Sequence, residues 1–325
     1  MRLPFGRAHR GSRVRIYFAT DIHGSERCWK KFLSAASHYG AQTLIMGGDI
    51  TGKALVPIVE DGPRRWRATF MGAERVFNAD QLTQLESDIR FNGFYPYQCS
   101  PEEAETLATD PEHRARIFTK LMRATAEEWV EIADSRLKGA GVECFVMPGN
   151  DDEPFLDEVL AASSCIRNHD SAVLPLGDYV LVGHGWSNPT PWHTPREKHD
   201  EEIEQDLDAL LDQAMDQGPV IFNPHVPPYA SRLDDAPELR DDLSVVMHGG
   251  QAHMVPVGSR AVRNVIERRQ PLVSLHGHIH ESKGIVRMGK TVAVNPGSEY
   301  NVGRLLGALV DLDGPRVANV QLVAG

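Results

Sequence analysis

Little in this sequence points to a covalent framework. Its 325 residues hold four cysteines, Cys28, Cys99, Cys144 and Cys165, widely spaced and with no CxxC pair. That pattern argues against a disulfide scaffold or a thiolate zinc site, and predicts buried reduced thiols in a cytoplasmic protein. Long apolar runs are missing as well. None approaches the ~20 residues of a membrane span, and the stretch 14–19 behind the basic N-terminal arm, residues 1–13, is too short for a signal-peptide core. Cations are in deficit: 34 Lys and Arg stand against 45 Asp and Glu, a net charge of −11. Such a balance argues against a nucleic acid polymer or an anionic membrane as partner. A small phosphate ligand remains open to it. Apolar residues make up 41%, ample for a sizeable core. The length suits two domains, or one large α/β domain carrying an insertion.

What is present is a series of short apolar runs, each ending in a polar, Gly-rich turn. Residues 14–20 run into Asp21-Ile-His23-Gly24, and 43–46 into Gly47-Gly48-Asp49. Residues 142–147 run into Pro148-Gly149-Asn150-Asp151-Asp152, 220–222 into Asn223-Pro224-His225, and 272–275 into His276-Gly277-His278-Ile279-His280. Runs of this kind read as buried strands. Helical patterns alternate with them over 25–38, 111–138, 197–217 and 259–269, with Ser25, Asp110 and Ser259 as caps. The alternation predicts an α/β fold. Residues 50–110 interrupt it. An Asp61-Gly62 turn between 53–60 and 64–70 predicts a β-hairpin, and 79–92 reads as a helix. A lid over a site and a decorative surface insertion are equally compatible with this segment, so the chain reads as one domain, 14–325, interrupted at 50–110.

The strand ends deliver Asp21, His23, Asp49, Asn150, His225, His278 and His280 in order. Each alone is weak. Together they are hard to attribute to chance, because strand carboxyl ends are where open α/β sheets build sites. In an extended chain residues i and i+2 point the same way. Asp21 and His23 are therefore expected to share one metal, and His278 and His280 to face one site.

The ordered pattern D-x-H, G-D, G-N-x-D, a lone His and G-H-x-H closely resembles that of the calcineurin-like metallophosphoesterases. The resemblance implies a four-layer α/β/β/α sandwich and a two-metal site. Asp49 would bridge, Asp21, His23 and His280 would complete the first metal, and Asn150, His225 and His278 the second. A pair of cations on such ligands clamps a phosphate and activates a bridging water for in-line attack. Imidazole and carboxylate without thiolate favour Mn, with Fe next, and Zn, Co or Ni compatible. The family carries His after the Asn; here the position is Asp151, followed by Asp152, expected to support a ligand from behind. A carboxylate beside a dianionic monoester is repulsive, whereas a diester carries one charge. The expected activity is thus hydrolysis of small phosphodiesters, cyclic nucleotides above all. A phosphomonoesterase or nuclease of the same superfamily is the alternative, and an inactive metal-binding regulatory module the alternative class. His184 and Trp186, with Trp192, lie in a Gly/Pro-rich loop that suits either the lining of a substrate pocket or a purely structural turn. The Gly258-Ser259 turn offers a helix N-terminus to an anion, and a homo-oligomer is compatible with all of this.

Overall fold

In the computed structural model, residues 13–325 are described. The basic arm therefore lies outside the described residues, except for Arg13, which opens the first strand. Two six-stranded sheets face each other. The first runs in the order β20 (Arg316–Ala324), β19 (Leu306–Asp313), β1 (Arg13–Ala19), β2 (Thr43–Met46), β7 (Glu143–Val146), β8 (Ile166–Asn168). Its strands β1, β2, β7 and β8 are parallel, with β19 and β20 antiparallel at one edge. The second sheet runs β17 (Gly284–Met288), β18 (Thr291–Asn295), β16 (Val273–Leu275), β11 (Val220–Pro224), β10 (Tyr179–His184), β9 (Ala172–Leu176). Its four central strands are parallel and its two edges antiparallel.

Alternation along the strands explains why the runs are apolar throughout. Side chains of period two face opposite sides of a sheet. Ile16 and Phe18 of β1, Ile45 of β2 and Phe145 of β7 meet Leu181, Ile221 and Leu275 between the sheets. Their neighbours Tyr17, Ala19, Leu44, Met46, Cys144 and Val146 face outward, onto helices α1 (Glu26–Tyr39), α4 (Pro111–Leu137) and α5 (Phe155–Ala161). On the other side Val180, Val182, Val220 and Phe222 pack on α6 (Asp200–Ala214) and α7 (Arg260–Arg269). The four layers are therefore α/β/β/α. Helix α1 follows its pattern closely: Ser25 accepts the Cys28 N–H, and Gly40 closes the last turn at φ 64°. Trp29 stacks on Trp129 of α4 at 5.5 Å and donates its indole N–H to the Trp129 carbonyl.

The interruption is richer than a hairpin. Strands β3 (Leu55–Glu60) and β4 (Arg65–Phe70) pair antiparallel about the Asp61-Gly62 turn. They are joined by β5 (Ala73–Asn78) and β6 (Tyr95–Cys99) in a four-stranded sheet of order β5-β4-β3-β6. Helix α2 (Ala79–Phe91) covers it through Leu85 and Ile89, giving the segment its own small core. Helix α3 (Pro101–Thr109) then leads into α4. A second excursion forms a flap of two short ribbons, β12 (Asp235–Pro237) with β15 (Met254–Pro256), and β13 (Met247–His248) with β14 (Gln251–Ala252). Among the described residues no helix is long and apolar enough to cross a membrane.

Candidate metal centre

All seven residues named above converge where the parallel strands of both sheets end. Asp21 and His23 follow β1, Asp49 follows β2, Asn150 follows β7, His225 follows β11, and His278 and His280 follow β16. The turns lock together through the backbone. Asp21 N–H donates to Gly48 O at 2.9 Å, His23 N–H to Asp49 O at 3.0 Å, and Gly277 N–H to His225 O at 2.9 Å. Gly149 cannot be replaced without cost, since a Cβ there would run into the Asp49 carboxylate and backbone.

The seven side chains form two adjoining groups, and a third, His23 with Asp49 and Asp151, overlaps both. Asp21, His23 and His280 make one; Asp49, His225 and His278 make the other. In the first, His23 Nε2 and His280 Nε2 face each other at 3.0 Å, with Asp21 Oδ1 3.4 Å from His280 Nε2. In the second, Asn150 Oδ1 lies 3.1 Å from His225 Nε2 and 2.7 Å from His278 Nδ1. Asp49 Oδ2 stands between the groups, 3.6 Å from His23 Nε2 and 3.4 Å from His225 Nε2. Asp21 and Asp49 are both almost fully buried.

The donor set fits divalent transition cations. Ring nitrogens, carboxylate oxygens and one amide oxygen aim at common points, and thiolate is absent from the set. Burial and the nearby Lys53 and His280 keep His23 neutral, pushing its pKa well down, and its Nδ1 has no hydrogen-bond partner. Burial and His225 likewise push His278 down to about 3. The carboxylates meanwhile demand positive charge. Against burial, Asp49 drives His225 up to about 10, and Asp21 raises His280. Asp21 itself is opposed by burial, yet His280, His225 and His23 hold it far below the usual carboxylate range. A cation would satisfy that demand.

Outer contacts fix each group. Thr194 Oγ1 accepts from Asn150 Nδ2 at 2.9 Å, which aims the amide oxygen at the histidines. The His225 ring is oriented by Gly47 O, 2.8 Å from Nδ1. Asp152 is fully buried and accepts from the N–H groups of Ile50, Thr51 and Gly149 and from the Thr51 hydroxyl, tying the Asp49 turn to the Asn150 turn. Asp151 donates its N–H to Asp49 Oδ1, while its carboxylate lies 2.9 Å from Lys53 Nζ and 3.7 Å from His23 Nδ1.

Several expectations change. Asp21 and His23 do stand in one group, but not by extended alternation. Asp21, His23, Asp49 and His278 have φ of 53°, 37°, 54° and 66°, so they sit in left-handed turns. His184 is fully buried beside Asp206, 3.5 Å away, and stands outside the cavity at the metal centre. Trp186 is turned from that cavity too, its ring carrying the Lys198 ammonium at 4.4 Å. The Trp ring at the cavity is Trp192, 63% exposed. The α7 N-terminus does receive an anion, but from within: Asp200 accepts from the Ser259 hydroxyl and the N–H groups of Arg260 and Ala261.

Other residues around the centre escaped the sequence pattern. Lys53 faces the cavity beside Asp49 and Asp151. Buried Arg196 donates to Asp152 O and pairs with Asp157 and Asp170, bracing the Asn150–Asp152 turn. Asn295 Nδ2 donates to Ile279 O, and the Ser298 hydroxyl to Asp21 O, so the Asn295–Ser298 turn clasps the ligand loops. A solitary Lys or Arg has no spacing to betray it. The Asn295-Pro-Gly-Ser298 run reads as a turn returning toward the site, but nothing in its sequence assigns it a role.

A four-layer sandwich with two groups of Asp, His and Asn at the facing strand ends defines a calcineurin-like metallophosphoesterase, and the chain belongs to that family. It is 31% identical over 180 residues to an uncharacterized protein of Methanocaldococcus jannaschii, MJ1162, over 53% of this chain and 74% of that one. Its fold is similar to that of TT1561 of Thermus thermophilus, with a TM-score of 0.51, 16% identity, and 97% and 99% of the two chains covered. Another crystal structure aligns with a TM-score of 0.55 at 18% identity, over 96% of this chain and 99% of that one. No protein-family model matches the chain.

Proposed function

We propose that this chain is a metal-dependent phosphodiesterase acting on small diesters that carry a single negative charge. The observation that carries the reading is the Lys53–Asp151 pair at the mouth of the metal centre, a cation 2.9 Å from an anion that stands where the family resemblance expects the His after the Asn. Asp21, His23, Asp49 and His280 would hold one cation, and Asp49, Asn150, His225 and His278 a second. Bound there, Mn or Fe would supply Lewis acidity toward the phosphoryl group and the attacking water.

The chain's own groups do the rest. Asp49 Oδ2 is shared between the two groups, and the Asp151 N–H on its Oδ1 keeps it in that orientation. Burial opposes the charge on Lys53, but Asp151 and Asp49 outweigh it and raise its pKa, so the ammonium stays charged. It is placed to donate to a non-bridging phosphoryl oxygen. Asp151 fixes that ammonium and at the same time cancels its charge, so the pair favours a monoanion over a dianion. Cyclic nucleotides meet the charge requirement, and Trp192 offers one ring for a base.

The deciding experiment is a panel with each metal reconstituted separately: bis(4-nitrophenyl) phosphate against 4-nitrophenyl phosphate. Metal-dependent turnover with kcat/KM higher for the diester is expected. Preference for the monoester would overturn the diester reading, and no turnover with any metal would overturn the enzyme reading.

A further inference from the structure

The metal centre occupies one end of a cavity of about 940 Å³. That is the upper end of the size of a small-molecule site, and far more than a phosphate needs. Its two ends differ in chemistry. At the metal end stand Asp49, Lys53, Asn150 and Asp151. Beyond these the wall is mostly apolar: Pro237, Leu239, Val245, Val255 and Val257 come from the flap, with Glu238 between them, Phe118 and Met122 come from α4, and Trp192 adds a second aromatic ring. The strands β3–β6 contribute none of the lining.

Charge narrows the occupant further. Lys53 is the one Lys or Arg among the lining residues, whereas Glu153, Glu238 and Glu281 add negative charge beyond Asp49 and Asp151. A second phosphate would have no cation to meet. A nucleobase would find few donors as well, because Thr190 Oγ1 already donates to Glu197 and Asn188 Nδ2 to Val257 O, leaving Asn188 Oδ1 as an unpaired acceptor. The apolar surface also continues outward. On the same flap Leu243, Met247 and Met254 are exposed, and Leu239 bridges to Val245 across it.

We infer that the distal half of this cavity is a subsite for an aliphatic chain, and that the substrate is a phosphodiester with one phosphoryl group and a long alkyl substituent. This deepens the phosphodiesterase reading and rests on it. Burial of the chain against the flap would supply binding that the metal centre does not, while the single phosphoryl group meets Lys53.

The test is a chain-length series in the metal-loaded protein. Methyl, butyl and octyl 4-nitrophenyl phosphates are compared for kcat/KM. The same chains as alkylphosphonates are titrated for binding by tryptophan fluorescence, with Trp192→Phe as control. Each methylene placed against the wall contributes up to about fourfold, so an octyl chain is expected to exceed methyl by at least about tenfold in both readouts. Leu239→Asp is expected to reduce the octyl compounds and spare the methyl ones. A flat or falling series, or a 3′,5′-cyclic nucleotide outrunning the octyl ester, would overturn the inference. The phosphonate titration decides it even if no ester is turned over, in which case the phosphodiesterase reading fails separately. A wild-type series needs no variant to fold.

Discussion

Replacing Lys53 by Ala removes the one Lys or Arg that lines the cavity while leaving every proposed metal ligand in place. Its hydrogen bond to Asp151 is 2.9 Å long, and its side chain is 47% exposed. A hydrogen bond to a charged group is worth about 1.5–3 kcal/mol. Partial exposure favours the lower half of that range, so loss of the contact to a phosphoryl oxygen should lower kcat/KM by roughly tenfold to fiftyfold. A second effect adds to it. Without the ammonium, the Asp151 carboxylate faces the incoming anion unpaired. The double variant Lys53→Ala/Asp151→Asn should therefore recover part of the loss, a coupling that a double-mutant cycle reads directly. The assay is bis(4-nitrophenyl) phosphate hydrolysis at metal contents verified equal by elemental analysis. Lys53→Ala within twofold of wild type would refute the reasoning, as would a double variant no better than the single one.

Asp49→Ala and His225→Ala should each abolish activity and lower metal content without unfolding the chain, as read by circular dichroism and elemental analysis. Wild-type turnover in either would refute the ligand assignment. Asp151→His should raise the monoester-to-diester ratio of kcat/KM, because it trades a carboxylate for a proton donor beside the leaving oxygen, a role typically worth ~10²–10⁴-fold. An unchanged ratio would place residue 151 away from that oxygen. Stability should rise with pH between about 4 and 6.5. Burial pushes the His169 pKa down to about 4, its Nε2 lying 2.9 Å from Asn223 Oδ1. An unfolded His takes its proton near pH 6.5. The unfolded chain therefore binds more protons across that window, and His169 contributes on the order of 3 kcal/mol at neutral pH that is lost on acidification. Urea midpoints against pH should show this slope, flattened in His169→Gln; equal slopes would refute it.

The layers were legible because strands buried on both faces read as unbroken apolar runs, as in 16–19 and 220–222, and because each run ends in a polar turn. The convergence of those turns was legible from their order. Their internal geometry was not. Asp-x-His looks like strand alternation, but the two side chains meet through left-handed turns, a property of backbone that composition does not encode. The insertion hid its full sheet for a different reason. Strand β6, Tyr-Pro-Tyr-Gln-Cys, contains a proline and pairs in parallel with β3 across α2, a long-range choice with no local signature. His184 and Trp186 misled because a Gly/Pro-rich loop after a strand looks like a cavity wall, whereas here burial beside Asp206 and the Lys198 ammonium occupy them.

The left-handed turns at Asp21, His23, Asp49 and His278 set the chemistry of the protein against its own thermal endurance. Such backbone costs an L-residue on the order of 1 kcal/mol and glycine almost nothing. Laboratory evolution for heat resistance alone, with no screen for turnover, would accordingly favour glycine at His23 and His278, but not at Asp21 and Asp49, whose carboxylates accept the His278 and Asp151 N–H groups. The same campaign run with saturating metal would spare them, since ligand bound to the folded state adds to its stability. The positions at which the two lineages part would mark, without any assay of hydrolysis, which of the proposed metal ligands the fold strains to present.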